Sequence, residues 1–450
     1  MVSKMTMDKF ITPFSPELPT QSNNVASINS LNSYFPIRTN EKPFDWDAVI
    51  GLLLQGVLRK KIGKYTIDLF EADCHEVFQE KLGEEEFWGV LREMYFEKKD
   101  IFRTSPEMLL FKAHKDECSS VDERVARMFA NLLMNLQVQS FNTKSNFIER
   151  EFLSVLNQKL EDGKLEPQTE VPYLPELTHA FRADFKFLSK RPKYLQSEFE
   201  NFLSLYAFTY TAQLSLSLPD WRTGKEPVAK PLYFIMDHER ASKERTHIKN
   251  YGYQLISESF IRIFPMLTML EMLQPCKGGE ETLKVPLWEI SRRIQDSNYE
   301  NLEDRLKKFA YAFRTKRGLN VEMKSADSAL DWLGNALYLA EAQFKSGGKR
   351  GLDEKYASSI EKIMAAPFIQ SRGRSGRVLV LNQDYIILLT NLVVGEKDKL
   401  RFHELITAFE QRGIFVDKQT EQELIKFYER IGNVERMSDS GDAVYVRKTI

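Results

Sequence analysis

The chain has 450 residues, 42% of them hydrophobic and 28% charged, with a formal net charge of -1 and a pI near 6.7. That length suggests two or three domains, and the composition excludes a disordered or fibrous chain. The charge balance excludes bulk attraction to nucleic acid, so any DNA contact must come from a local patch.

Residues 1–45 are rich in Ser, Asn, Pro and Thr and show neither helical nor strand periodicity, which predicts an extended, partly disordered arm. The start of the chain lacks the continuous apolar stretch of a signal peptide. From Phe44 onward the pattern turns helical: Trp46, Val49, Leu52, Leu53 and Val57 fall near helical spacing, with Asp45 or Asp47 near the start. Helical signals continue through "SVDERVARMFANLLMNLQV", "SNFIEREFLSVLNQKLEDG" and "SEFENFLSLYAFTYTAQL", and strand signals are scarce. The uncharged run 201–219 is long enough to span a bilayer, but its Asn, Gln, Ser and Thr residues dilute it, so it reads as a buried helix. Leu302, Leu306, Phe309, Ala310 and Phe313 mark one side of a later helix, and Ser328 is placed to cap the next one. Residues 46–365 are therefore expected to form a mainly helical body, followed by a basic linker at 366–379.

Residues 380–450 read differently. A strand-like "VLVL" precedes a buried helix, two helices stop at Gly413 and Gly432, and the tail alternates around a turn at Asp439 to Asp442. Helix, short strand, helix, turn, helix and β-hairpin is the order of a winged helix. The expected fold class is thus mainly α, a multi-helix body with few short strands plus a C-terminal winged-helix domain.

Candidate chemistry begins at Asp237-His238-Glu239, where an apolar run ends and a basic stretch follows. A metal-dependent nuclease would draw on Asp237, Glu239 or the distant Glu322 of "VEMK", but no HExxH or CxxC spacing supplies a ligand set, and none is assigned. The plainer reading has Asp237 end a strand and Glu239 open a helix, where an acid complements the dipole. "KSGGKRG" lacks the first Gly and the Ser/Thr of a nucleotide-binding phosphate loop and is rejected as one, so no cofactor is expected. Arg372, Arg374 and Arg377 form a Gly-rich basic stretch suited either to a phosphate backbone or to a solvated linker. At the winged helix the contact candidates are Lys418, Gln419, Lys426, Tyr428, Arg430, Arg447 and Lys448, with Phe427 expected in the core. Glu421 and Glu423 lie among them, so DNA binding and protein docking stand equal.

The segments "PLYFIMDHERASKERTHIKNYGYQLISESF" and "RSGRVLVLNQDYIILLTNLVVGEKDKLRFHELITAFEQRGIFVD", with the chain length and helix-rich body, resemble the DptG (DndG) family of DNA phosphorothioation-dependent restriction proteins. The resemblance implies a bacterial restriction subunit that works with DptF-like and DptH-like partners carrying nucleotide-hydrolysing domains, against DNA lacking sulfur in its backbone. It carries over no catalytic residues. The leading expectation is a non-catalytic subunit that scaffolds ATPase partners and contacts DNA or a partner through its winged helix. A divergent metal-dependent nuclease and a winged-helix DNA-binding regulator are the alternatives. The isolated Cys74, Cys118 and Cys276, an odd number with no CxxC, fit a reducing cytoplasm, and no membrane partner is expected.

Overall fold

The computed structural model describes Tyr34, Ile37 and residues 43–83, 85–113, 118–141, 146–163, 168, 170–241, 245–274, 284–296, 301–437 and 443–450. At 85, 374, 437 and 443 only the backbone is described. The expected arm at 1–45 and the expected hairpin turn at 439–442 fall almost wholly outside these residues.

The first part of the body contains α1 (Trp46–Leu58), β1 (Lys60–Lys61), α2 (Ile67–Leu82), α3 (Glu85–Leu91), α4 (Ser120–Leu133), α5 (Phe147–Lys159) and β2 (Glu161–Asp162). Its helices start where the sequence supplies caps. Asp45 accepts from the Asp47 N–H at α1, and Ser119 with Asp122 closes a reciprocal capping box at α4. Next come α6 (Pro175–Ser189), α7 (Pro192–Ser217), β3 (Tyr233–Met236), α8 (Thr246–Asn250), α9 (Tyr253–Ser259), α10 (Ile263–Leu273), α11 (Leu287–Asp296), α12 (Leu302–Lys316), α13 (Ala329–Ala342) and α14 (Leu352–Ile360). The C-terminal part holds β4 (Ile369–Ser371), β5 (Arg377–Leu381), α15 (Gln383–Val394), β6 (Lys399–Arg401), α16 (Phe402–Glu410), β7 (Phe415–Val416), α17 (Lys418–Arg430), β8 (Val434–Met437) and β9 (Ala443–Arg447). The protein is mainly α with a few short strands, as the periodicity predicts.

Helix α7 is the axis of the fold. From Phe202 to Ser217 every residue is buried, which is why the run carries no charge. Several of its polar side chains find partners inside the protein, although Ser217 Oγ is buried without one. Thr209 donates to the Leu205 carbonyl, Ser215 meets Ser259 at 2.8 Å, and Gln213 exchanges hydrogen bonds with the Lys230 backbone. Among the described residues no helix is long and apolar enough to cross a membrane.

Two sheets organise the C-terminal part. In the first, of order β4-β5-β3-β7, β3 lies parallel to both β5 and β7, and β4 is antiparallel to β5. The ends of β5, β3 and β7 therefore fall on one edge, where Asn382 caps α15, Asp237 follows β3 and Asp417 caps α17. The second sheet is antiparallel, of order β6-β9-β8. From α15 onward the order is helix, strand, helix, strand, helix and two paired strands, with β7 belonging to the first sheet.

The expected linker at 366–379 is a correction. Ile369–Ser371 and Arg377–Leu381 pair with each other, and Val378 to Leu381 are buried, because alternating Val and Leu supply a strand that both faces of the sheet can bury. The Gly/Ser/Arg stretch is the turn between them. Nor does 380–450 hang from the body. Its apolar residues join the same contiguous core as α6 and α7, and the Asn391 amide donates to the Tyr194 hydroxyl at 2.8 Å. The surroundings of Glu322 also differ from expectation, since residues 319–327 have no regular secondary structure rather than being helical. Lys324 exchanges backbone hydrogen bonds with the Asn335 side chain there.

Candidate functional site

The Asp237-His238-Glu239 turn sits at the edge where open α/β sheets usually place ligands. The Glu239 carboxylate has other employment. Glu239 is 5% exposed; one oxygen accepts the Met236 N–H at 2.8 Å, and the other accepts Arg245 Nη1 at 2.8 Å and the Thr420 hydroxyl at 3.2 Å. Arg245 continues to Asp417, its Nε 2.8 Å from one carboxylate oxygen and its Nη2 donating to the other, and it reaches the Thr420 hydroxyl at 2.6 Å. Asp417 in turn accepts the Thr420 N–H at 2.9 Å as the cap of α17. Burial alone would lower the Arg245 guanidinium, but Asp417 and Glu239 override it and hold it above its ordinary range. Burial likewise pushes Asp417 up, and the Arg245 and Thr420 hydrogen bonds overcome it to leave the carboxyl below its usual range. This network fixes the first turn of α17 against the end of β3.

Asp237 and His238 are less enclosed. The Asp237 N–H donates to the Leu381 carbonyl, and its own carbonyl accepts from the Arg372 guanidinium. His238 Nδ1 lies 3.5 Å from Asp237 Oδ1, and Nε2 lies 3.7 Å from Glu423 Oε2. Glu423 is held below the carboxylate range first by Lys426, 2.8 Å away. Asp237 Oδ1 is buried with no hydrogen-bond partner. Among the described residues no three His, Cys, Asp or Glu side chains come together in a way that could hold a metal ion. Glu322 lies on a segment after α12 that has no regular secondary structure.

The basic stretch is partly tied down. Beyond its Asp237 contact, the Arg372 backbone N–H closes the turn on the Gly376 carbonyl at 2.7 Å. Arg377 pairs with Glu361 and donates to the Tyr253 hydroxyl at 2.9 Å. The side chain of Arg374 lies outside the described atoms.

On α17, Lys418, Gln419, Lys426 and Arg430 are exposed. Lys418 pairs with Glu421 and Lys426 with Glu423, each at 2.8 Å. Arg430 lies over the Phe427 ring, 5.5 Å from its centroid. Arg447 pairs with Glu435, and Lys448 donates to the Gly395 and Lys397 carbonyls at 3.0 and 2.8 Å, so it caps the end of α15. Tyr428 is a correction: it is 0% exposed, and its hydroxyl lies 2.6 Å from that of Thr390. It follows Leu424 by one helical turn and belongs with Phe427 in the apolar stripe.

A second buried pair escaped sequence reasoning altogether. Arg412 straddles both oxygens of Asp184, its Nε at 2.8 Å from Oδ2, and the Tyr206 hydroxyl donates to the same carboxylate at 2.6 Å. The partners are 228 residues apart, and nothing local in either segment signals the other. Compared with models of known protein families and with curated proteins, the chain gives no match.

Proposed function

We propose that this chain is a non-catalytic subunit of a bacterial DNA phosphorothioation-dependent restriction system, working in the cytoplasm as a rigid docking piece for DptF-like and DptH-like ATPase partners, against DNA lacking the phosphorothioate mark. The observation that carries the non-catalytic part is Glu239. A general base or metal ligand needs a lone pair facing a substrate. Both oxygens of Glu239 instead face Arg245, Thr420 and the Met236 amide inside the protein. The restriction context comes from the sequence resemblance.

The C-terminal unit is read as a winged helix from its element order and its β6-β9-β8 sheet. Docking is favoured over DNA readout there. Residues 382–450 carry ten Lys and Arg against twelve Asp and Glu, and Lys418, Lys426, Arg436 and Arg447 each have a carboxylate partner. Such a face offers a phosphate backbone little net charge, and suits a polar protein surface.

The test is co-expression of the tagged full chain with the two partners, followed by pull-down. Wild type should retain a partner. Gln422→Arg with Lys426→Glu, both on the exposed face of α17, should lose it at unchanged melting temperature. Failure of wild type to retain either partner overturns the scaffold reading. Retention by the double variant overturns the docking role of α17.

A further inference from the structure

The basic charge missing from the C-terminal unit is concentrated elsewhere. Between Arg305 and Lys324 the chain carries seven Lys and Arg and a single acid, Glu322, in a protein whose net charge is -1. The apolar side of α12 (Leu302, Leu306, Phe309, Ala310 and Phe313) is buried, which turns Lys307, Lys308 and Tyr311 outward. Lys307 and Tyr311 both meet Trp332 at the start of α13, with Lys307 Nζ 5.6 Å from the ring centroid and the Tyr311 ring at 5.8 Å. At the other end of α12, Arg317 lies beside Lys349 of the "KSGGKRG" loop. The band therefore runs from Lys307 along the helix to that loop. Ten residues of helix cover about 15 Å, or about four base-pair steps of duplex.

Six cations of this band lack, among the described residues, the carboxylate partners that the lysines of α17 have. Among the described residues, Lys307, Lys308, Arg314, Lys345, Lys349 and Arg350 make no ion pair. Burial first, and then Arg317, lowers the Lys349 ammonium below its ordinary range. Acids do stand around the band, Glu303 and Asp304 in the first turn of α12 and Glu341 on α13, whose carboxyl is pushed up by burial against the pull of Arg262, Lys345 and Lys324. Gly347 and Gly348 have open space where a Cβ would stand, so a ligand can approach the loop backbone closely.

We propose that α12 and the 345–350 loop form a binding surface for the phosphate backbone of nucleic acid. The loop that fails as a nucleotide-binding phosphate loop serves here as a backbone clamp, without Mg²⁺ and without a bound mononucleotide. Exposed Tyr311, set among lysines, adds an aromatic face on which an unpaired base can stack. An anionic membrane is the weaker fit. A helix that lies on a bilayer inserts its apolar side, and that side of α12 is spent on the protein core. The site does not rest on the docking reading, and either can fail alone.

The experiment measures binding of the full chain to short labelled duplex and single-stranded DNA by fluorescence anisotropy, with phosphatidylserine vesicles as a third probe. With about four phosphates neutralised, affinity should fall about 100-fold between 50 and 200 mM salt, whatever the sequence. Lys307→Glu with Lys308→Glu, and separately Lys345→Glu with Lys349→Glu, should each weaken binding by about tenfold or more and flatten the salt slope by about two. Lys418→Glu with Lys426→Glu should leave binding unchanged. Tyr311→Ala should weaken the single-stranded probe more than the duplex. Melting temperatures check that these substitutions, the half-buried Lys349 above all, leave the fold intact. Salt-insensitive binding, equal loss from the α17 variant, or retention of vesicles but not DNA each overturns the assignment.

Discussion

Replacing Arg245 by Ala should destabilise the protein by about 3 kcal/mol, at the lower end of what removing one partner of a buried ion pair costs. The magnitude follows from what is left behind. Glu239, 5% exposed, keeps only the Met236 N–H and the Thr420 hydroxyl, and its charge has no cation within the network. Asp417 keeps the Thr420 N–H as a helix cap, and its side chain is 12% exposed, so water recovers part of its loss. At about 2 °C per kcal/mol for a large chain, the melting temperature should drop by roughly 6 °C. Differential scanning fluorimetry and urea unfolding of wild type, Arg245→Ala and Glu239→Gln measure it, with Glu239→Gln showing the smaller loss because its shape and the Asp417 pair survive. An Arg245→Ala protein that melts like wild type would refute the reasoning, because the network would then not hold α17 to β3.

Three further outcomes follow from single residues. Tyr428→Ala should cost about 3–5 kcal/mol as a core cavity, whereas Tyr428→Phe, which removes only the Thr390 hydrogen bond, should cost about 1 kcal/mol, both read by urea unfolding. Gly413→Ala should destabilise by about 1–2 kcal/mol, since Gly413 has φ of +80° and a Cβ would stand 2.7 Å from Gln213, itself held by the Lys230 backbone; thermal melting checks it. Arg191, then Lys190, lowers Glu396 from its ordinary 4.5 to about 2, so its contribution is fully present above about pH 5 and fades as pH falls toward 2. Wild type and Glu396→Gln should therefore melt apart at neutral pH and converge near pH 2, by a small and salt-sensitive margin because the pair is half-exposed.

What the sequence made legible was local and periodic. The uncharged run at 201–219 announced a helix buried on all sides, Asp45 or Asp47 announced the start of α1, which Asp45 caps, and Ser328 announced the start of α13, which it caps. Gly413 and Gly432 marked the stops before β7 and β8, each with positive φ. The strand ending at Asp237 was legible from its apolar run, but the expectation that Glu239 opens a helix fails: Glu239 lies in a bend just after the strand, and the next helix starts at Thr246. What Glu239 faces could not be read, because Arg245 and Asp417 meet it only through a parallel sheet that joins residues 233–236 to 415–416. Two-residue strands carry no periodicity, and a Gly/Ser/Arg turn between short strands has the composition of a linker. Tyr428 was legible and misread: Thr420, Leu424, Phe427 and Tyr428 share one helical face, and the phenol's polarity masked it. The basic band on α12 was also present in the sequence, but its meaning depends on which lysines have carboxylate partners, and that is a property of the folded surface.

The most direct measurement is restriction of unmodified DNA in cells carrying Asp237→Asn together with the partner genes, with the level of the protein followed in parallel. Asp237 is the one acid of its turn outside the Arg245 network, and Asn keeps its shape while removing its charge, so the substitution tests chemistry with little effect on folding. The account predicts restriction indistinguishable from wild type. Loss of restriction at an undiminished protein level would contradict it and place a reacting centre at the end of β3.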